Sequence, residues 1–262
     1  MSSTGLAIDS QGTGPDIVCL HGWGMNAAVW SEVVEVLSKN HRVHCVDLPG
    51  HGASPWLAQT AYKDWLQQLH DAITRLTDQP FILLGWSLGG LLAMGYAERY
   101  PEQVKKMILV AATPCYVQTA GWSSAMQAGV LKQFSAALLK DFETTLMRFL
   151  SLQIRGAEHS AETLRELRKR VFARGKPHPE ALVSGLAHLA EQDRRASIEH
   201  LACPVQLIGG ERDTLVPPAA ILWQAGVIPD AQAHIVEGAG HAPFLSHTSE
   251  FIQCVSEFIH AG

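Results

Sequence analysis

Charge is scarce in this chain. Only 17% of its 262 residues are Asp, Glu, Lys or Arg, and the formal net charge is −5. Set against 47% hydrophobic residues, that composition excludes a disordered polyelectrolyte. A pI near 6.2 lacks the basic footprint of a nucleic-acid binder. Long apolar runs are missing too. The uncharged apolar stretch from Pro80 to Ala97 holds five Gly or Ser residues and crosses a turn, so no membrane span is expected. The five cysteines are odd in number and scattered, with no CxxC pair. They read as reduced, mostly buried thiols of a cytoplasmic protein. Met1 to Gly14 has no basic start and no apolar core, so no export signal is expected. Despite 13 histidines, no HExxH or clustered ligand spacing occurs, and neither a Walker loop nor GxGxxG is present. A metal or other cofactor is therefore not expected.

What is present is alternation. Apolar runs of strand length, "DIVCLHG" from Asp16, "RVHCVDLPG" from Arg42, "FILL" from Phe81 and "VKKMILVAA" from Val104, are separated by helical patterns at Ala27 to Ser38, Tyr62 to Leu76 and Leu88 to Tyr100. Two more strands, "CPVQLIGGERD" from Cys203 and "AQAHIVEGAGH" from Ala231, precede a final amphipathic helix from about Ser249 to His260. The pattern implies an α/β fold, a mainly parallel sheet with helices on both faces. Between Cys115 and Ser197 only helical periodicity is found, such as Leu138, Leu139, Phe142, Leu146, Phe149 and Leu150. This reads as an inserted helical cap. The expected organisation is a core domain of residues 1–114 and 198–262 carrying a cap of residues 115–197.

One stretch carries chemistry. In "ILLGWSLGG" from Ile82, Ser87 stands between glycines, directly after a buried strand and directly before a helix. Gly85 and Gly89 leave room for the sharp turn that lifts a serine hydroxyl above a sheet edge. A serine needs a base, and the base needs an orienting acid. Ligand sites of open parallel sheets gather at the carboxyl ends of strands. Asp213 and His241 each follow a strand there. Taken singly, Asp213 also suits a helix N-cap and His241 an ordinary loop histidine. Taken together, the order Ser, Asp, His suits a strand-turn-helix nucleophile. The oxyanion of such a reaction needs donors. Leu88 offers the first N–H of its helix, and Trp23 offers another in the turn "HGWGMN" after the first core strand. Trp23, Trp86, Leu88, Leu215 and Phe149 would form an apolar channel. "DLPGHGAS" from Asp47 is given a structural role, with Ser54 placed to cap the next segment.

With HGWG, DLPGHGxS, GWSLGG, GxxD and GHAPF on one chain, the sequence resembles the α/β-hydrolase family over its full length. Within it, "HGWGMN", "GWSLGG", "RFLSLQ" from Arg148, "DTLVP" from Asp213 and "HAPFLSH" from His241 are similar to the carboxylesterases of biotin synthesis. Those enzymes demethylate a pimeloyl ester carried on acyl carrier protein. The resemblance implies a triad of Ser87, Asp213 and His241 and an oxyanion hole of Trp23 and Leu88. It also implies an acyl site that adds Phe149, Leu150, Ser151, Leu152, Gln153 and Leu215. The partner it implies is an acyl carrier protein, met by a cytoplasmic monomer.

Charge distribution adds a separate point. Cys115 to Ser197 holds 12 Lys+Arg against 8 Asp+Glu, a balance of +4 that leaves −9 on the remainder. "RELRKRVFARGK" from Arg165 concentrates six cations. As a helix it sets Arg165, Arg168 and Lys169 beside an apolar stripe of Leu164, Leu167 and Val171. With Arg148, these form a candidate dock for an acidic carrier; a solvated face is the alternative. Two other functions stay open: a broad short-chain esterase or carbon–carbon bond hydrolase, and a small-molecule receptor that retains the triad.

Overall fold

The computed structural model describes residues 5–153, 164, 165, 168, 169 and 174–261. Seven strands form one sheet in the order β1-β3-β2-β4-β5-β6-β7. They are β1 (Ile8–Gln11), β2 (Asp16–Leu20), β3 (Arg42–Val46), β4 (Phe81–Trp86), β5 (Val104–Val110), β6 (Val205–Gly210) and β7 (Ala231–Val236). All pairings are parallel except β1 with β3. Strands β2, β4 and β6 are buried at every position. Continuous apolar runs such as "FILL" are what a parallel strand covered on both faces requires. Strand β1, "IDSQ", is absent from the sequence reading, and the reason is physical. It is an edge strand with three exposed residues, so it carries no apolar signal.

Helices α1 (Ser31–Leu37), α2 (Tyr62–Ile73) and α3 (Leu88–Arg99) connect the first half of the sheet. Helices α7 (Pro218–Val227) and α8 (Thr248–His260) complete the second half, and α7 is a helix the sequence reading did not assign. Between β5 and β6 lie α4 (Ala128–Lys140), α5 (Phe142–Gln153) and α6 (Pro179–Glu191). No described residue of this insertion joins the sheet. Its two ends meet, with Cys115 bridging Asp193 and the Arg194 N–H donating to Pro114 O at 2.9 Å.

The chain reverses its direction of winding around β2, which has β3 on one side and β4 on the other. A crevice opens at the carboxyl ends of strands at such a point. Asp47, fully buried, braces its rim. Its carboxylate accepts the N–H of Ala27 at 2.7 Å and of Ala53 at 2.8 Å. Ser54 does not cap a helix here: its hydroxyl donates to Asp47 O at 2.6 Å and accepts the Ala7 N–H at 2.9 Å. No helix among the described residues is long and apolar enough to cross a membrane.

Candidate active site

Ser87 is the residue between β4 and α3, and its backbone is strained. Its φ of 53° and ψ of −116° lie where a residue with a Cβ costs about 1–3 kcal/mol. Neighbouring bonds hold it there: its N–H donates to Val110 O and its carbonyl accepts the Leu91 N–H, both at 3.0 Å. The glycines permit the turn through close approach. A Cβ on Gly85 would sit 2.5 Å from Gly89 O, and one on Gly89 would sit 2.4 Å from Leu20 O.

The turn brings three distant residues together. His241 Nε2 is 2.9 Å from Ser87 Oγ, and His241 Nδ1 is 2.7 Å from Asp213 Oδ2. An aspartate carboxylate only accepts, so Nδ1 carries the proton and Nε2 is left to accept from the serine. The other oxygen of Asp213 accepts the N–H groups of Leu215 at 2.8 Å and Val216 at 3.0 Å. Those bonds aim Oδ2 at the imidazole. All three side chains are buried, in surroundings where hydrogen bonds and developing charge interact strongly. Such an arrangement can remove a proton from a hydroxyl and return it to a leaving group.

An apolar cavity of about 90 Å³ lies over Ser87 and His241. Trp23 and Leu215 wall it from the sheet side, while Leu131 and Phe134 of α4 and Leu186 and Leu189 of α6 close it from the insertion. Trp23 joins the two layers. Its indole N–H donates to Leu182 O of α6 at 2.9 Å, and its ring meets Phe134 edge-on at 5.2 Å. His21 holds the turn that carries Trp23. The Leu48 N–H donates to its Nε2 at 3.0 Å, so Nδ1 bears the proton and donates to Gly22 O at 2.8 Å. Burial pushes the pKa of His21 down to about 4, which keeps the ring neutral in that role.

Several expected residues stand elsewhere. Trp86 does not line the cavity. Its indole N–H donates to His241 O at 2.8 Å and its ring packs on Phe244, so it supports the histidine loop from behind. Leu88 is fully buried and packs beneath Gly185 of α6, where a Cβ would lie 3.1 Å from its Cδ2; its side chain is not a cavity wall. Its backbone N–H opens α3 beside Ser87. The side chains of Phe149, Leu150, Leu152 and Gln153 lie outside the described residues. Ser151 is exposed and donates to Arg148 O at 2.7 Å. Arg148, Arg165, Arg168 and Lys169 are exposed, while Leu164 faces the core. Arg174 points inward, pairing Asp47 at 2.8 Å and also Asp9, so one of the six cations in that stretch is engaged with the core.

The sequence reading missed Tyr116, Met126, Leu131, Phe134, Leu186 and Leu189. The spacing of Leu131 to Phe134 and of Leu186 to Leu189 was an available helical signal. Tyr116 left none, because it sits in a loop after β5.

The family model for the alpha/beta hydrolase fold matches residues 15–248. A pimeloyl-[acyl-carrier protein] methyl ester esterase of Nitrosomonas europaea is 41% identical over 249 residues, spanning 95% of this chain and 97% of that one. A protein of the same description from Aeromonas hydrophila is 39% identical, spanning 97% and 99%. Among solved structures, an esterase from Exiguobacterium antarcticum superposes with a TM-score of 0.91 at 21% identity, covering 98% and 96%. At that identity the likeness is one of fold.

Proposed function

The chain belongs to the alpha/beta hydrolase family, and from that premise we propose that it is a serine carboxylesterase that hydrolyses the methyl ester of pimeloyl-[acyl-carrier protein]. The products are methanol and the free carboxylate still carried on the protein, a step of biotin synthesis. The observation that carries the reading is the 2.9 Å approach of His241 Nε2 to Ser87 Oγ inside an apolar cavity, with Asp213 on the other ring nitrogen.

In this reading Ser87 attacks the ester carbonyl and His241 takes its proton. Asp213 keeps the imidazole in the required tautomer and stabilises the cation that forms. The backbone N–H groups of Trp23 and Leu88 receive the oxyanion. His241 then protonates the departing methoxy oxygen. Water, activated by the same histidine, releases the acid. The cavity over Ser87 and His241 is lined almost wholly by apolar side chains, which suits an acyl chain. Residues 115–197 act as a cap over the acyl chain, and Arg148, Arg165, Arg168 and Lys169 dock the acidic carrier protein. The enzyme works as a cytoplasmic monomer.

The test is rescue of a biotin auxotroph that lacks its own demethylating esterase. Growth without biotin is expected. Absence of growth with folded, soluble protein in the cells would count against this substrate.

A further inference from the structure

Among the described residues, seven buried side-chain polar atoms lack a hydrogen-bond partner, and only one of them belongs to a residue lining the cavity. That atom is the hydroxyl oxygen of Tyr116. The ring is 1% exposed, yet the hydroxyl makes no hydrogen bond of ordinary geometry. Ser87 and the Thr113 main chain lie beside it as weak hydrogen-bond partners, but neither contact reaches ordinary hydrogen-bond geometry. A buried hydroxyl without a well-formed hydrogen bond costs stability, so its presence beside a reacting serine points to a better partner supplied by substrate.

The loop holding Tyr116 is well anchored. Tyr116 O accepts the Met126 N–H at 3.1 Å. Cys115 O, one residue earlier, accepts the Trp122 indole N–H at 2.9 Å. The hydroxyl is therefore held in position before any ester arrives.

Strand order tells which ester oxygen it meets. Ser87 stands at the end of β4, with β2 on one side and β5 on the other. Trp23 follows β2, so the oxyanion turns to that side, toward the N–H groups of Trp23 and Leu88. Tyr116 follows β5, on the side of β6 and β7, which carry Asp213 and His241. The alkoxy oxygen must turn to that same side, because His241 has to protonate it. An alkoxy oxygen has lone pairs to accept two donors and no proton of its own to give.

We propose that the Tyr116 hydroxyl donates a hydrogen bond to the alkoxy oxygen of the ester as the tetrahedral intermediate collapses, which makes it a further catalytic residue. In that step the bond from the former carbonyl carbon to the alkoxy oxygen breaks, and its electron pair moves onto oxygen. The proton that His241 took from Ser87 passes from Nε2 to that oxygen, and the alcohol departs. Tyr116 keeps its own proton throughout. Burial raises its phenol well above the ordinary value, so it remains a donor across the working range. The assignment rests on the esterase reading and adds how the enzyme manages a poor leaving group such as methoxide.

Leaving-group dependence provides the test. Methyl butyrate and p-nitrophenyl butyrate share an acyl group and differ in how readily the alcohol departs. Tyr116→Phe should lower kcat/KM for methyl butyrate about 10- to 100-fold, the scale of one donor to a reacting oxygen. For p-nitrophenyl butyrate the fall should be less than about threefold, because p-nitrophenoxide leaves unaided. The melting temperature should hold or rise, since no protein group loses a hydrogen bond of ordinary geometry. Equal behaviour toward the two esters, whether both unchanged or both reduced alike, would overturn the assignment while wild-type turnover keeps the esterase reading intact. A wild type that hydrolyses neither ester would overturn the reading beneath it and the assignment with it.

Discussion

The indole N–H of Trp86 donates to the main-chain carbonyl of His241 across 2.8 Å. Trp86 immediately precedes Ser87, so the residue next to the proposed nucleophile also holds the loop of the proposed base. The two groups whose separation matters most for proton transfer are thereby tied through one side chain. Trp86→Phe would retain the apolar packing against Phe244 and leave the buried carbonyl of His241 without its donor, at a cost of about 1–3 kcal/mol. We expect kcat to fall about tenfold with KM little changed, because geometry is lost only in the reacting state. Steady-state kinetics on a p-nitrophenyl ester checks this. Unchanged kcat would show that the loop is positioned without Trp86.

Acid should destabilise the fold through three buried histidines. Burial lowers the pKa of His21 to about 4 and of His188 to about 4. Burial, together with the neighbouring His21, lowers that of His51 to about 3. Above the ordinary histidine value of about 6.5, both folded and unfolded chains hold these rings neutral, and no penalty exists. As pH falls below it, the unfolded chain takes up protons that the folded chain refuses until pH 4 or 3. Stability is lost in that window, at up to about 1.4 kcal/mol per pH unit for each ring. Asp16 acts in a lower window. Burial works against its charged form, but hydrogen bonds from Arg42, Thr77 and His44, with the Arg42 charge, together outweigh it and hold its pKa at about 2, so its stabilisation fades only below about pH 4. Urea unfolding at pH 7 and pH 5 should show a clearly lower midpoint at pH 5. Equal midpoints would contradict neutral burial.

The proposed docking role of the exposed cations can be separated from chemistry. Arg165→Glu combined with Arg168→Glu should raise KM for the carrier-bound ester and leave p-nitrophenyl butyrate turnover nearly unchanged. Wild-type KM for the carrier substrate should also climb with salt, since exposed charges are screened over about 8 Å at physiological ionic strength. Equal effects on both substrates would indicate a folding defect, and no effect on either would make the stretch an ordinary solvated face.

Much of this arrangement was legible in the chain, for reasons that differ from residue to residue. Ser87 stood out because a strand, a sharp turn and a helix compress into nine residues whose glycines have no other use. Asp213 and His241 followed because strands with buried carboxyl ends are easy to locate. Trp86 was misjudged, since a strand buried on both faces gives no alternation to tell which way a side chain points. Strand β1 escaped because an exposed edge needs few apolar residues. Tyr116 and the cavity walls from α4 and α6 depend on how the insertion lies over the sheet, a tertiary relation that local periodicity does not encode. Arg174 was counted with its exposed neighbours because charge alone does not reveal a buried aspartate waiting in the core.

The central claim is that Ser87 is the nucleophile of an ester hydrolase acting on a carrier-bound methyl ester. It is tested most directly by measuring methanol released from methyl pimeloyl-[acyl-carrier protein] by wild type and by Ser87→Ala. The wild type should turn the ester over, and the variant should lose about 10⁴- to 10⁶-fold in kcat while its melting temperature stays close to that of the wild type. A folded Ser87→Ala protein that keeps a tenth of the wild-type rate would contradict the account.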